Sequence, residues 1–562
     1  MREQLNVPRT LLFMPAASCF IHSFVEWSRI TKPPRTDSLP NTRGRCGISQ
    51  SPMRPLSFTC LVLVLATSVK AQTVLVKPYV QPGDGRGLTG SDVKVLSWLT
   101  DPIPAEFTVE FGVKGQPMQL ANVEKLSLDF AAAKPKKATP TPKPTTPEPA
   151  TSLDDVKEEA VKESAPPILE REQHYLKYSA LLPELPFDSE VAYRVKMGGQ
   201  LVREGVFRTR ASADKSFRCV LVGDIANGLP QQKGIAWQIS QQKPEIMIAL
   251  GDIVYSRGRV NQYMKYFWPA LNDVAVPGPK AGAPLLASIP LYPVIGNHDA
   301  DAAKLVDYPD AFGAFYFFNV PLNGPGMGDW NLPLGKDASL AATFREKVGA
   351  QYPAMNVYSF DYGPAHFLIL DSNSYTTKGL LKLVPWIEKD LRSSPQPWKF
   401  VCFHAPAFHT SREHFSEQKM RLLEPTFEAC GVDVVFAGHV HNYQRTMPIT
   451  FKPGPRGRDP KGRVNGEYQL DQAFDGATDT TPEGIIHIVS GGGGAKLYSV
   501  DLQKTIEKLK KDHPGNWVPF TTKYYAQKHS FSVLDLSSTE FSFRQLNIDG
   551  QEIDRFKITK GK

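Results

Sequence analysis

From Phe217 onward the chain repeats one unit, a short apolar run that ends on a polar residue able to bind a metal. Residues 219–222 run into Gly223-Asp224, 246–250 into Gly251-Asp252, 367–370 into Asp371, 399–403 into His404 and 432–436 into Gly438-His439. Residues 235–242 and a stretch through Leu422 and Phe427 carry a helical pattern between such runs. Strand-length runs alternating with helices predict an α/β domain with a largely parallel sheet. In such sheets the carboxyl ends of the strands line the ligand crevice, so this arrangement collects the polar run-ends along one edge. Residues 531–536 and 541–546 read as antiparallel strands completing a sheet.

Ahead of this region, residues 73–130 and 171–210 hold short strands such as Val93–Leu99 in sequence order Val-Lys-Val-Leu-Ser-Trp-Leu, which predict a β-sandwich. The stretch from Tyr178 through Leu185-Pro186 to Tyr193 resembles an edge of a fibronectin type III domain. Between the halves, residues 131–168 are rich in Pro, Thr, Glu and Lys and poor in apolar residues. Such a segment buries too little surface to offset its ordering entropy and is expected to be a disordered insert.

The N-terminus reads as processed. Met53-Arg54, an apolar run through Ala66 and the spaced small residues before Gln72 predict a signal peptide at 53–71, with 1–52 an upstream or disordered leader. The apolar run is too short to span a bilayer, so the mature chain is expected to have no stable membrane insertion and to be secreted or periplasmic. Of the formal net charge of +8, residues 1–71 carry six, leaving a nearly neutral body with no call for nucleic acid. Cys219, Cys402 and Cys430 sit in or beside apolar runs without metal-type spacing and are expected to be buried thiols, with one disulfide after export as the alternative.

Five separated motifs hold the metal-competent residues: Gly223-Asp224, Gly251-Asp252 with Tyr255, Gly296-Asn297-His298-Asp299, His404, and Gly438-His439-Val440-His441. Asp224, Asp252, Tyr255, Asn297, His404, His439 and His441 form an oxygen and nitrogen donor set without thiolate, suited to Fe, Zn or Mn. Each has a plainer reading alone. A Gly-Asp is often just a turn, Asn297 is able to cap a helix, Tyr255 to be a core tyrosine, and Gly491–Gly494 to be a tight backbone passage rather than an anion cradle. Asp371 reads as structural or as a support behind the ligands.

In this order the motifs resemble the calcineurin-like metallophosphoesterases, and the tyrosine three residues after the second aspartate is similar to the purple acid phosphatase branch. Residues 438–445 and 488–494 resemble segments of that branch too, and the likeness spans about 75–550. It implies a four-layer α/β/β/α metallophosphoesterase sandwich over residues 215–550, preceded by an all-β fibronectin type III-like domain over 73–210. It further implies Asp224, Tyr255 and His441 on a ferric ion, Asn297, His404 and His439 on Fe, Zn or Mn, and Asp252 bridging the two metal ions. His298 would contact the phosphate, and His414 would be the general acid, with His409 its rival. Two departures from the family pattern stand out: Ala226 replaces a glycine in the first motif, and Glu413 replaces a histidine beside His414. The expected activity is hydrolysis of a small phosphorylated substrate, a phosphate monoester, with a phosphodiester or nucleotide as the alternative. The third possibility is a binding protein that kept the fold.

Overall fold

Eight strands form two antiparallel sheets at the start of the computed structural model, which describes residues 72–133, 171–301, 304–325 and 334–561. The expected leader, the signal peptide and all of the Pro/Thr-rich insert beyond Ala133 lie outside the described residues. One sheet has β1 (Val74–Gln81), β2 (Asp92–Thr100), β6 (Gln173–Leu185) and β5 (Val123–Phe130) in that order. The other has β4 (Gln119–Ala121), β3 (Phe107–Val113), β7 (Glu190–Met197) and β8 (Gln200–Arg208). Period-two alternation explains their packing: Val191, Tyr193 and Val195 of β7 point into the core, while Arg194 between them is exposed. Trp98 and Tyr178 stack at 5.6 Å within that core. This all-β unit fits the fibronectin type III-like reading.

The following region builds two larger sheets. The first orders β11 (Leu291–Pro293), β10 (Ile246–Ala249), β9 (Phe217–Val222), β21 (Ser530–Leu536), β22 (Glu540–Asn547) and β23 (Glu552–Thr559). The second orders β12 (Tyr358–Tyr362), β13 (Ala365–Ile369), β14 (Trp398–Cys402), β15 (Val434–Ala437), β19 (Ile486–Ser490), β16 (Tyr443–Thr446) and β20 (Thr521–Tyr525). Strands β9, β10 and β11 run parallel, as do β13, β14, β15 and β19.

Side-chain alternation sorts the second sheet into two cores. Phe400, Cys402, Val434 and Phe436 face the first sheet and join Val220, Leu221, Val533 and Phe541. Val401, Phe403, Val435 and Ala437 face away, onto Ile387 and Leu391 of the helix Val384–Ser393 and Phe427 of the helix Glu424–Ala429. On the far side of the first sheet lies the helix Gln231–Gln242, with Ile235, Ala236 and Ile239 buried in the same core as β9. The result is the expected α/β/β/α layering. Cys219, Cys402 and Cys430 are buried free thiols. Residues 451–482, rich in Gly and Pro, hold most of a two-stranded hairpin, β17 (Ile449–Arg458) and β18 (Val464–Leu470).

The β-sandwich is fastened to this region by polar contacts. Tyr79 Oη donates to the Phe317 carbonyl at 2.8 Å, Tyr193 Oη to the Ala287 carbonyl at 2.7 Å, and Arg203 to Asn272 Oδ1 at 2.7 Å. Buried Arg210 holds Asp92 at 2.8 Å and reaches the Asp361 carbonyl at 3.3 Å.

One buried ion cluster gives the fold a pH signature. His366 on β13 lies 2.7 Å from Asp361 Oδ1 and 2.8 Å from Asp390 Oδ2 on the helix Val384–Ser393. Burial opposes its charge, but hydrogen bonds to the two carboxylates win and raise its pKa to about 9. The unfolded histidine titrates at about 6.5, so this contribution is complete below that pH and is lost as pH rises through about 9. The interval is worth about 3 kcal/mol. Denaturant unfolding of wild type and His366→Gln should therefore show a stability gap that narrows by that order between pH 6 and pH 10; a constant gap would discount the charged cluster.

Candidate metal centre

Each strand-end motif arrives at the same edge because parallel strands point their carboxyl ends one way. Asp224 follows β9 and Asp252 follows β10; Asn297 and His298 follow β11, His404 follows β14, and His439 and His441 follow β15. Asp224, Asp252 and His404 are each at most 1% exposed.

The donor atoms meet in two groups. In one, His404 Nε2 lies 3.0 Å from Asn297 Oδ1, 3.2 Å from Asp252 Oδ1 and 3.2 Å from His439 Nδ1. In the other, Tyr255 Oη donates to Asp224 Oδ1 at 2.8 Å, and His441 Nε2 lies 3.1 Å from Tyr255 Oη and 3.3 Å from Asp224 Oδ1. The groups are tied together by the His439 backbone N–H, which donates to Asp224 Oδ2 at 2.8 Å.

Tautomers make these contacts informative. His404 Nδ1 donates to the Leu250 carbonyl and His441 Nδ1 to the Lys496 carbonyl, each at 2.8 Å. Their Nε2 atoms are thereby turned, lone pair first, onto oxygen and nitrogen acceptors. Such an arrangement calls for positive charge between the donors. The local electrostatics agree. His404 is pushed up to about 10: burial opposes its charge, and Asp252 overcomes it. Asp252 is held well below the usual carboxylate range, burial opposing and His404 and His298 prevailing. A site that draws a proton onto a buried imidazole gains by accepting a metal cation there, so the residues present fit the two-metal group.

Backbone conformation singles out the same residues. Asp224, Asp252, His414 and His439 take φ of 61°, 49°, 60° and 66°, in the left-handed region that side chains with a Cβ seldom occupy. This strain gathers at the edge where the donors meet. Asp299 joins two of the loops: its carboxylate accepts from the backbone N–H of Ile253 at 3.1 Å and of Gly296 at 3.0 Å. Burial, reinforced by Asp252, raises its pKa to about 7. Ala226 fits its loop without a clash, donating to the Ile253 carbonyl at 3.1 Å. Gly491, Gly493 and Gly494 are a close backbone passage, since a Cβ there would lie 2.3, 2.3 and 2.0 Å from the carbonyls of Val440, Gly223 and Ile225.

The two histidines considered as the general acid are placed differently. His409 is buried, lies 3.3 Å from the His414 carbonyl, and burial pushes it down to about 3. His414 is partly exposed, packs its ring 3.9 Å from that of His439, and is held at Nδ1 by Glu417 Oε1 at 2.7 Å. His298 points Nδ1 at the Ser256 carbonyl at 2.7 Å and Nε2 toward Asp252 Oδ2 at 3.9 Å. Asp371 stays apart, bound to Asn356 at 2.8 Å and Tyr375 at 2.5 Å.

Two neighbours carried no sequence signal. Glu417 Oε2 lies 3.2 Å from His439 Nε2, so its carboxylate spans His439 and His414. Tyr498 stacks on His441 at 4.3 Å, with Oη 3.2 Å from His414 Nε2. No motif surrounds either residue; only their contacts mark them.

Residues 217–443 match the family model described as Calcineurin-like phosphoesterase. The chain is 25% identical over 342 residues to Purple acid phosphatase 18 of Arabidopsis thaliana, covering 60% of this chain and 61% of that protein. It is 23% identical over 416 residues to Probable inactive purple acid phosphatase 27 of the same plant, covering 68% and 57%. The chain thus spans about three fifths of the length of these curated relatives. In fold it is similar to the purple acid phosphatase PPD1 from yellow lupin (Lupinus luteus) seeds, with a TM-score of 0.55 at 20% identity, covering 87% of this chain and 74% of that one.

Proposed function

We propose that this chain, a calcineurin-like phosphoesterase of the purple acid phosphatase branch, is an exported hydrolase of phosphate monoesters that works on two metal ions. The observation supporting this most directly is the pair of donor groups, with Nε2 of His404 turned onto Asp252 and Asn297, Nε2 of His441 onto Asp224 and Tyr255, and His439 Nδ1 meeting His404 Nε2. Asp224, Tyr255 and His441 would hold a ferric ion; Asn297, His404 and His439 would hold Fe, Zn or Mn; Asp252 would be shared. Bound there, the pair would supply Lewis acidity toward the phosphoryl oxygens and activate water for in-line attack.

The side chains around the donors handle binding and protons. His298, oriented by the Ser256 carbonyl, faces the space beside Asp252 and suits a phosphoryl oxygen. His414 is the proton donor to the leaving alkoxide. Glu417 fixes its Nδ1, which leaves Nε2 toward Tyr498 Oη at 3.2 Å. Retention of the whole donor set argues for turnover rather than binding alone. Export rests on the signal-peptide pattern at 53–71.

Metal analysis tests the reading. Purified protein should carry two metal ions per chain, lose aryl phosphate hydrolysis on dialysis against a chelator, and regain it on reloading. Tyr255→Phe removes the phenolate that gives a tyrosinate-to-ferric visible band, so the variant should be colourless while the parent is purple. Hydrolysis surviving full chelation would defeat the proposal.

A further inference from the structure

We propose that Tyr498 is a positioning residue for the proton donor, fixing His414 against the donor group of Asp224, Tyr255 and His441. The role rests on the phosphoesterase reading above, which gives His414 its proton to deliver.

The strap 496–499 grips His441 at three points. His441 Nδ1 donates to the Lys496 carbonyl at 2.8 Å, and the Tyr498 backbone N–H donates to the His441 carbonyl at 3.0 Å. The Tyr498 ring then stacks on the imidazole at 4.3 Å, with 13° between the planes. The following residue is tied down as well. Tyr524 on β20 donates its hydroxyl to the Ser499 carbonyl, and Asn442 Nδ2, beside His441, donates to that hydroxyl at 3.3 Å. The place of the Tyr498 ring is therefore set by the histidine that closes the first donor group.

From that ring the hydroxyl lies 3.2 Å from His414 Nε2, while Glu417 Oε1 lies 2.7 Å from Nδ1. The imidazole is thus held at both nitrogens, once from its own loop and once from a strap 84 residues away. In the charged ring both nitrogens donate, Nδ1–H to Glu417 and Nε2–H to the Tyr498 hydroxyl. The His414 ring also packs 3.9 Å from that of His439, so Tyr498 and His414 together join the two donor groups.

Packing alone does not explain a tyrosine here. A phenylalanine ring stacks on His441 equally well, whereas only the hydroxyl meets the side chain that gives up the proton. Without that hydroxyl, the partly exposed His414 keeps its bond to Glu417 and its ring can tilt about it. On transfer the Nε2–H bond breaks, its electron pair stays on nitrogen, and the proton passes to the leaving oxygen in place of the tyrosine hydroxyl. A weakly basic leaving oxygen departs without this help; a strongly basic one depends on it.

The test is Tyr498→Phe in the metal-loaded full chain, assayed on a nitrophenyl phosphate and on an alkyl phosphate. The variant should lose about tenfold in kcat on the alkyl ester and within about twofold on the nitrophenyl ester, with KM and metal content unchanged. In a His414→Gln background, adding Tyr498→Phe should cost nothing further, because the hydroxyl acts through His414. Equal losses on both esters, or full additivity in the double variant, would overturn the role. If the wild type hydrolyses neither ester, the phosphoesterase reading falls by itself. The nitrogen-15 shift of His414 Nε2 in histidine-labelled protein then still decides the contact: a signal displaced in Tyr498→Phe supports it, and an unmoved signal overturns it.

Discussion

Asp252→Ala is expected to lower kcat for an aryl phosphate by about three orders of magnitude or more and to release metal from both halves of the site. The carboxylate is 1% exposed, lies 3.2 Å from His404 Nε2 and accepts the His298 backbone N–H at 2.8 Å. Removing it leaves His404 without its anionic partner and frees the loop that presents Asn297 and His298. On the proposed assignment Asp252 is shared by both ions, and no neighbour would replace it, because Asn297 and His404 meet in one group and Asp224, Tyr255 and His441 in the other. Asp371 makes the control. It too ends an apolar strand, but its bonds go to Asn356 and Tyr375, so Asp371→Asn should cost stability while both metals stay bound. Metal stoichiometry by elemental analysis, alongside kcat, separates the outcomes. An Asp252→Ala protein that keeps two metals would end the two-cluster account.

Gly251→Ala should be nearly as damaging, although glycine has no side chain to bind anything. A Cβ at this position would lie 2.4 Å from His404 Nδ1 and 2.6 Å from its Cγ, and the residue has φ of 87°. Real Cβ contacts never come that close, so the imidazole or the whole β10 loop has to move. His404 is pinned by the Leu250 carbonyl at 2.8 Å, one residue away, and cannot swing without breaking that bond. Overpacking and the left-handed backbone together cost about 2–4 kcal/mol of stability. Displacing a donor by about 1 Å should cost about a hundredfold in activity. Thermal unfolding and kcat/KM measure the two effects. A fully active Gly251→Ala enzyme would show that His404 is not held where this structure places it.

Ala226 shows where the sequence comparison was stricter than the chain. A glycine is the usual residue of that motif, yet Ala226 sits buried with an ordinary backbone hydrogen bond to Ile253. The departure at Glu413 leads elsewhere. The acidic residue that engages His414 is Glu417, one turn on, and no spacing rule pointed to it.

The sequence by itself determined the layering and the gathering of donors. Short continuous apolar runs dictate buried strands, helical stretches between them dictate parallel neighbours, and parallel neighbours put Asp224, Asp252, His404 and His439 on one edge. Those facts follow from local periodicity and chain connectivity, which a linear string carries. Tertiary structure alone decided that His414 rather than His409 faces the donors, that Tyr498 lies against His441 from 57 positions away, that four site residues take left-handed backbone, and that a Gly/Pro-rich stretch folds into a basic hairpin. The reason is physical: burial, stacking and backbone strain depend on which surfaces meet across long loops, and no periodic signal records that meeting.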